Sequence, residues 1–138
     1  MEILLVEDDL EDAGLTIETL RQGPVPCRVS LVRDGEEAID FLENRDRFAR
    51  APRPDLILLD MNLPRMDGRE VLQRVRGDER LERIPVVVMT ASRAHREILE
   101  EEHLRVEDYL VKPFDRDAFY AVVKSLRKFL LADVIVPA

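Results

Sequence analysis

The chain has 138 residues, enough for one domain with a real core and too few for a second folded module. Hydrophobic residues make up 46% and charged residues 36%, the balance of a folded chain and not of a disordered one. Twenty-nine acids against twenty-one bases leave a formal charge of −8, which disfavours nonspecific binding to nucleic acid or to an anionic membrane.

The chain enters a first apolar run at once, Ile3 to Val6, with no basic region ahead of it, so no secretory leader is expected. Three acids, Glu7-Asp8-Asp9, close that run, and Leu15 and Leu20 follow at helical spacing. The single cysteine, Cys27, allows no intramolecular disulfide and reads as a small packed side chain in a reducing cytoplasm. A second run, Val29 to Val32, leads to Ala38, Ile39 and Leu42, again helical in spacing. Residues 43–54, "ENRDRFARAPRP", carry Arg45, Arg47, Arg50 and Arg53 and are expected to form a solvated loop.

The third run, Leu56 to Leu59, ends abruptly in Asp60, followed by Asn62, Pro64 and the turn pair Asp67-Gly68. Val71, Leu72 and Val75 predict another helix. A fourth run, Val86 to Met89, ends in Thr90-Ala91. Beyond it, His95, His103 and the stretch Glu97 to Glu102 read as a solvated, charged helix face. The fifth run, Tyr109 to Val111, ends in Lys112-Pro113, and Ala118, Val122, Val123, Leu126, Phe129 and Leu130 predict the last helix. Val134, Ile135 and Val136 then form an apolar tail that needs a cover. No stretch approaches the ~18 apolar residues of a membrane span.

Strand-like runs alternating with helical segments predict a parallel sheet covered on both faces, and the uniformly apolar central runs agree. Right-handed crossovers make the simplest result an open, doubly wound (βα)5 sheet of five parallel strands. Ligands of such sheets sit outside the C-terminal ends of the strands. Those ends carry Glu7, Asp8, Asp9, Asp60, Thr90, Ala91, Lys112 and Pro113.

Clustered carboxylates raise one another's pKa unless a cation relieves them, and an all-oxygen donor set selects a hard ion such as Mg²⁺. A phosphoryl group approaching Asp60 would meet a carboxylate nucleophile, while Lys112 and the Thr90 hydroxyl would hold the remaining phosphoryl oxygens. Ala91 contributes by being small, leaving the donor access.

"LLVEDD", "LILLDMNLPRMDG", "VVVMTAS" and "YLVKPF" resemble the motifs of receiver domains of two-component response regulators, over essentially residues 2–130. The resemblance implies a flavodoxin-like (βα)5 doubly wound sheet of five parallel strands in the order 2-1-3-4-5, Asp60 as phosphoacceptor, Asp8 as direct Mg²⁺ ligand with Glu7 acting through water, and Asn62 offering its backbone carbonyl to the ion. It also implies Thr90 as switch hydroxyl, Lys112 as the phosphate-pairing ammonium, a cis peptide at Lys112-Pro113 and Tyr109 as the aromatic switch. Asp9 receives no role. The long loop and apolar tail further resemble stand-alone regulators that serve phytochrome-type histidine kinases, although Phe129 stands near the place of a tryptophan frequent there.

Two other classes fail on named residues. A flavin-binding module would need a phosphate-cradling loop after the first run, where Glu7-Asp8-Asp9 would repel it. An aspartyl-phosphate hydrolase of the haloacid dehalogenase type would need an acid two residues after Asp60, where Asn62 stands, and a cap for which the chain lacks length. The expected protein is therefore a receiver domain over residues 1–130 with an apolar tail over 131–138 that either docks back on its own domain or, the favoured reading, joins two subunits as a homodimer. It would be not an enzyme but a cytoplasmic phosphoacceptor for a sensor histidine kinase, or an intermediate in a phosphorelay, with output by protein contact.

Overall fold

The computed structural model describes residues 1–23, 25–90 and 94–126. Strands β1 (Glu2–Val6), β2 (Arg28–Val32), β3 (Leu56–Asp60), β4 (Val86–Thr90) and β5 (Asp108–Val111) alternate with helices α1 (Leu10–Gln22), α2 (Gly35–Leu42), α3 (Gly68–Arg76), α4 (Ala94–Glu101) and α5 (Arg116–Ser125). All strand pairs are parallel, in the order β2-β1-β3-β4-β5. This is the doubly wound sheet that the alternation predicts, in the flavodoxin-like order that the resemblance implies.

Each central strand reads as an unbroken apolar run because successive side chains enter two different cores. Leu4, Val6, Ile57, Leu59, Val86 and Val88 pack under α2 and α3, together with Leu99 from α4. Ile3, Leu5, Leu56, Leu58, Val87 and Met89 pack on the other face with Ala13 and Leu20 of α1 and Phe119, Val122 and Val123 of α5. Burying one such aliphatic side chain contributes about 1.5–3 kcal/mol before ordering costs. The edge strands β2 and β5 are less covered, and they carry polar residues, Arg28 and Ser30 in β2 and Asp108 in β5, where the central strands are apolar.

Aspartates start α1, α2, α3 and α5. The carboxylates of Asp34, Asp67 and Asp115 accept the free backbone N–H groups at the starts of α2, α3 and α5. Asp9, for which the motif suggested nothing, does the same for α1, accepting from the N–H groups of Glu11 at 2.9 Å and Asp12 at 3.1 Å. Part of the acidic excess is thus helix capping.

The 43–54 segment departs from the solvated loop expected of it. It contains a 3₁₀ turn, Asp46–Phe48, whose Phe48 ring lies 5.4 Å from that of Phe41. The Asn44 side chain donates to the carbonyls of Phe48 and Ala51, and Arg53 donates to the carbonyl of Arg80. One aromatic anchor and these bonds dock the segment despite its charge. Among the described residues no helix is long and apolar enough to cross a membrane. Ala91 and the tail over 131–138, with its expected two-subunit contact, lie outside the described residues, as do Phe129 and Leu130.

Candidate functional site

Parallel register assembles the site. Val6 pairs with Leu59, Asp60 with Met89 and Thr90 with Val111, so the residues that follow or end these strands stand side by side along one rim. Glu7 is fully buried, and Asp60 and Thr90 are 6% and 5% exposed. Buried polar groups at strand ends carry a desolvation cost, so each must find a partner.

Lys112 is the common partner. Its ammonium donates to Glu7, to Asp60 at 3.1 Å and to Asp12 at 3.4 Å. Asp60 also accepts the backbone N–H of Asn62 at 3.1 Å, which folds the β3–α3 connection over the carboxylate. Gly68 makes that connection feasible. A Cβ there would lie 2.6 Å from the Asp60 carbonyl oxygen and 2.7 Å from the Met61 Cα, so only glycine lets α3 begin against the end of β3. The Lys112–Pro113 peptide is cis.

The electrostatics are unbalanced. Glu7, Asp8 and Asp60 bring carboxylate oxygens within 4.8 Å of one another. Burial, and then the hydrogen bond shared with Asp60, push the Glu7 pKa up to about 7, with Lys112 opposing. Burial disfavours the charged form of Lys112, but its bond to Glu7 and the charge of Asp60 outweigh that, and the ammonium is held protonated. Three acids and Asp12 around one cation leave the rim short of positive charge. An all-oxygen cluster with a proton-hungry member fits a hard divalent cation, and Glu7, Asp8 and Asp60 are the side chains that would hold it.

Sequence reasoning placed His95 on a solvated face, far from the rim. Instead its Nδ1 lies 2.6 Å from Thr90 Oγ1. The neighbouring Arg96 guanidinium sits 4.8 Å from the centroid of the Tyr109 ring, while His103 is exposed. Asp12 was also missed; its signal was available, since it lies four residues after Asp8, on the first turns of α1 facing the rim. A groove of about 390 Å³ runs beside it, lined by Leu15, Thr16, Lys112 and Phe114 among others.

Comparison with known proteins agrees with this geometry. Residues 3–124 match the response regulator receiver domain family. Response regulator Rcp1 of Synechocystis sp. strain PCC 6803 is 39% identical over 136 residues, 99% of this chain and 92% of that protein. The crystal structure of the Mn²⁺-bound form of Rcp1 superposes with a TM-score of 0.76 at 40% identity, covering 99% of both chains. The bacteriophytochrome response regulator RtBRR gives a TM-score of 0.86 at 38% identity, over 99% of this chain and 83% of that one. Phosphorylated RcpA, a cyanobacterial phytochrome response regulator, gives 0.77 at 42% identity, over 99% and 98%.

Proposed function

Because the chain belongs to the response regulator receiver domain family, we propose that Asp60 is its phosphoacceptor and that a sensor histidine kinase, of the phytochrome type, is its donor. The observation that carries this reading is the sharing of one ammonium: Lys112 reaches Asp60 and Glu7 together at the rim where a ligand of this fold would sit. The likeness to Rcp1, RtBRR and RcpA supports the phytochrome-type donor.

An Asp60 carboxylate oxygen attacks the phosphorus of a phosphohistidine; the P–N bond breaks, the electron pair returns to the imidazole, and an acyl phosphate forms. Lys112 turns from the carboxylates to a phosphoryl oxygen, and the Thr90 hydroxyl donates to another. Asp8, Glu7 and Asp60 would hold Mg²⁺, with the Asn62 carbonyl, and when bound the ion neutralises the phosphoryl oxygens against the acids. The Mn²⁺-bound form of Rcp1 supports a divalent cation here. The chain acts in this step as acceptor, taking part in its own phosphotransfer, and not as a turnover enzyme. Exposed Leu15, lining the groove at Lys112, and exposed Leu10 at the start of the same helix offer the donor protein an apolar footing.

Labelling decides the assignment. Wild type with a phosphohistidine donor or acetyl phosphate and Mg²⁺ should take up label, and chelator should stop it. Asp60→Asn should take up none, because an amide is no nucleophile. Undiminished labelling of that variant would overturn the assignment.

A further inference from the structure

Helix α4 touches the sheet at two consecutive residues, His95 on Thr90 at the rim and Arg96 on Tyr109 of β5. The first contact has a chemical consequence. A threonine hydroxyl has one proton to donate, and a phosphoryl oxygen can only accept. Any service of Thr90 to a phosphoryl group on Asp60 therefore needs that proton. In a neutral imidazole carrying its hydrogen on Nε2, Nδ1 is an acceptor, and at 2.6 Å it engages the same proton. His95 is half-buried on the first turn of α4 and lines a cleft with Met61, Asn62 and Asp67, so it stands where α4 and the β3–α3 connection meet.

We infer that His95 is a positioning residue for the phosphoacceptor site: it holds the Thr90 hydroxyl to α4, and Thr90 serves a phosphoryl group only by giving that bond up. Occupancy of Asp60 is then felt at α4 as the loss of a tether, next to the residue that stacks on Tyr109. The inference rests on Asp60 being the phosphoacceptor. A merely structural His95 would satisfy the same hydroxyl without competing for it, and the two differ in what removing the ring does to ligand uptake.

The probe is beryllofluoride, a phosphoryl mimic, titrated in Mg²⁺ into wild type, His95→Ala, His95→Asn, Thr90→Ala and the double variant His95→Ala with Thr90→Ala. Nitrogen-15 shifts of the His95 ring are read in metal-free protein at pH 8. Nδ1 should be the bare nitrogen, with a shift that moves in Thr90→Ala. His95→Ala should bind the probe about fivefold more tightly, the worth of one net hydrogen bond. His95→Asn, which keeps an acceptor near the place of Nδ1, should return to within about twofold of wild type. In the Thr90→Ala background the His95→Ala change should have no effect on affinity, because the competed-for hydroxyl is gone. A hydrogen on Nδ1, equal affinities in wild type and His95→Ala, or an undiminished gain without Thr90 would each overturn the role of His95 while leaving Asp60 in place. Failure of wild type to take up beryllofluoride would overturn the Asp60 reading and the role of His95 with it.

Discussion

Two clusters of buried charge close the same sheet at its opposite ends, and they are built on opposite terms. At the N-terminal ends of β4 and β5, the Arg76 guanidinium uses all its donors: two to Glu107 at 2.7 and 2.9 Å, and the others to the carbonyls of Glu82, Ile84 and Arg105. Glu107 also accepts the N–H of Val86 at 3.3 Å. Burial lowers the Arg76 pKa and raises that of Glu107, yet each charge has its counter-charge and its bonds. At the C-terminal ends, Glu7, Asp12 and Asp60 share a single lysine, and Asp8 adds a further carboxylate beside Glu7 and Asp60. A matched and fully bonded pair ties α3 to the strands and leaves no chemistry to be done. A surplus of acid is unstable by itself and is resolved by a cation or by a ligand that draws the lysine away.

Mutation should separate the two clusters by size of effect. Arg76→Ala leaves Glu107 buried with only the exposed Arg105, 3.8 Å away, as counter-charge, and should cost about 3 kcal/mol in urea unfolding. The loss should be the same with and without Mg²⁺. A loss below about 1 kcal/mol, within the range of surface pairs, would place Arg76 with them and remove the contrast.

The acid rim should show itself in pH dependence. Glu7 is raised to about 7 from an ordinary value of 4.5, so between those values the folded state binds a proton that the unfolded state releases. Its contribution is fully present below about 4.5 and is lost as pH rises through about 7. In chelator the loss should be on the order of 2–3 kcal/mol. Glu7→Gln should flatten that slope, and Mg²⁺ should stabilise wild type near neutral pH by mass action on the folded state. Identical slopes in wild type and Glu7→Gln would deny that the rim is short of positive charge.

Asp12 should give the smallest effect. Its side chain is 46% exposed and its contact with Lys112 is long, so Asp12→Asn should alter stability by less than about 0.5 kcal/mol, as exposed pairs do. A loss several times larger, read from the same urea curves, would make Asp12 part of the architecture and blur the division between the two ends.

Much of this was legible in the chain itself. The five apolar runs, the acids and Thr90 at their ends and Lys112-Pro113 are local facts, because strand period, two-sided burial and strand-end position are set by neighbours in sequence. That is why Glu7, Asp8, Asp60, Thr90 and Lys112 could be named before any coordinates, whereas Asn62 and Tyr109 were named only through the family resemblance. Asp9 could have been read as a cap from its place just before Leu10. Other features depended on packing. Asp12 meets Lys112 across 100 residues and Arg76 meets Glu107 across 31, contacts that exist only once helices have docked on the sheet. Phe48 anchors a segment whose arginines made it look solvated, because one ring finding Phe41 outweighs a charged composition that sequence reads only as an average. His95 is only five residues from Thr90, yet no local period says which way a helix turns after its strand. The direction of α4 against the sheet is chosen by where Leu99 is buried, and with it whether His95 faces water or the hydroxyl of Thr90.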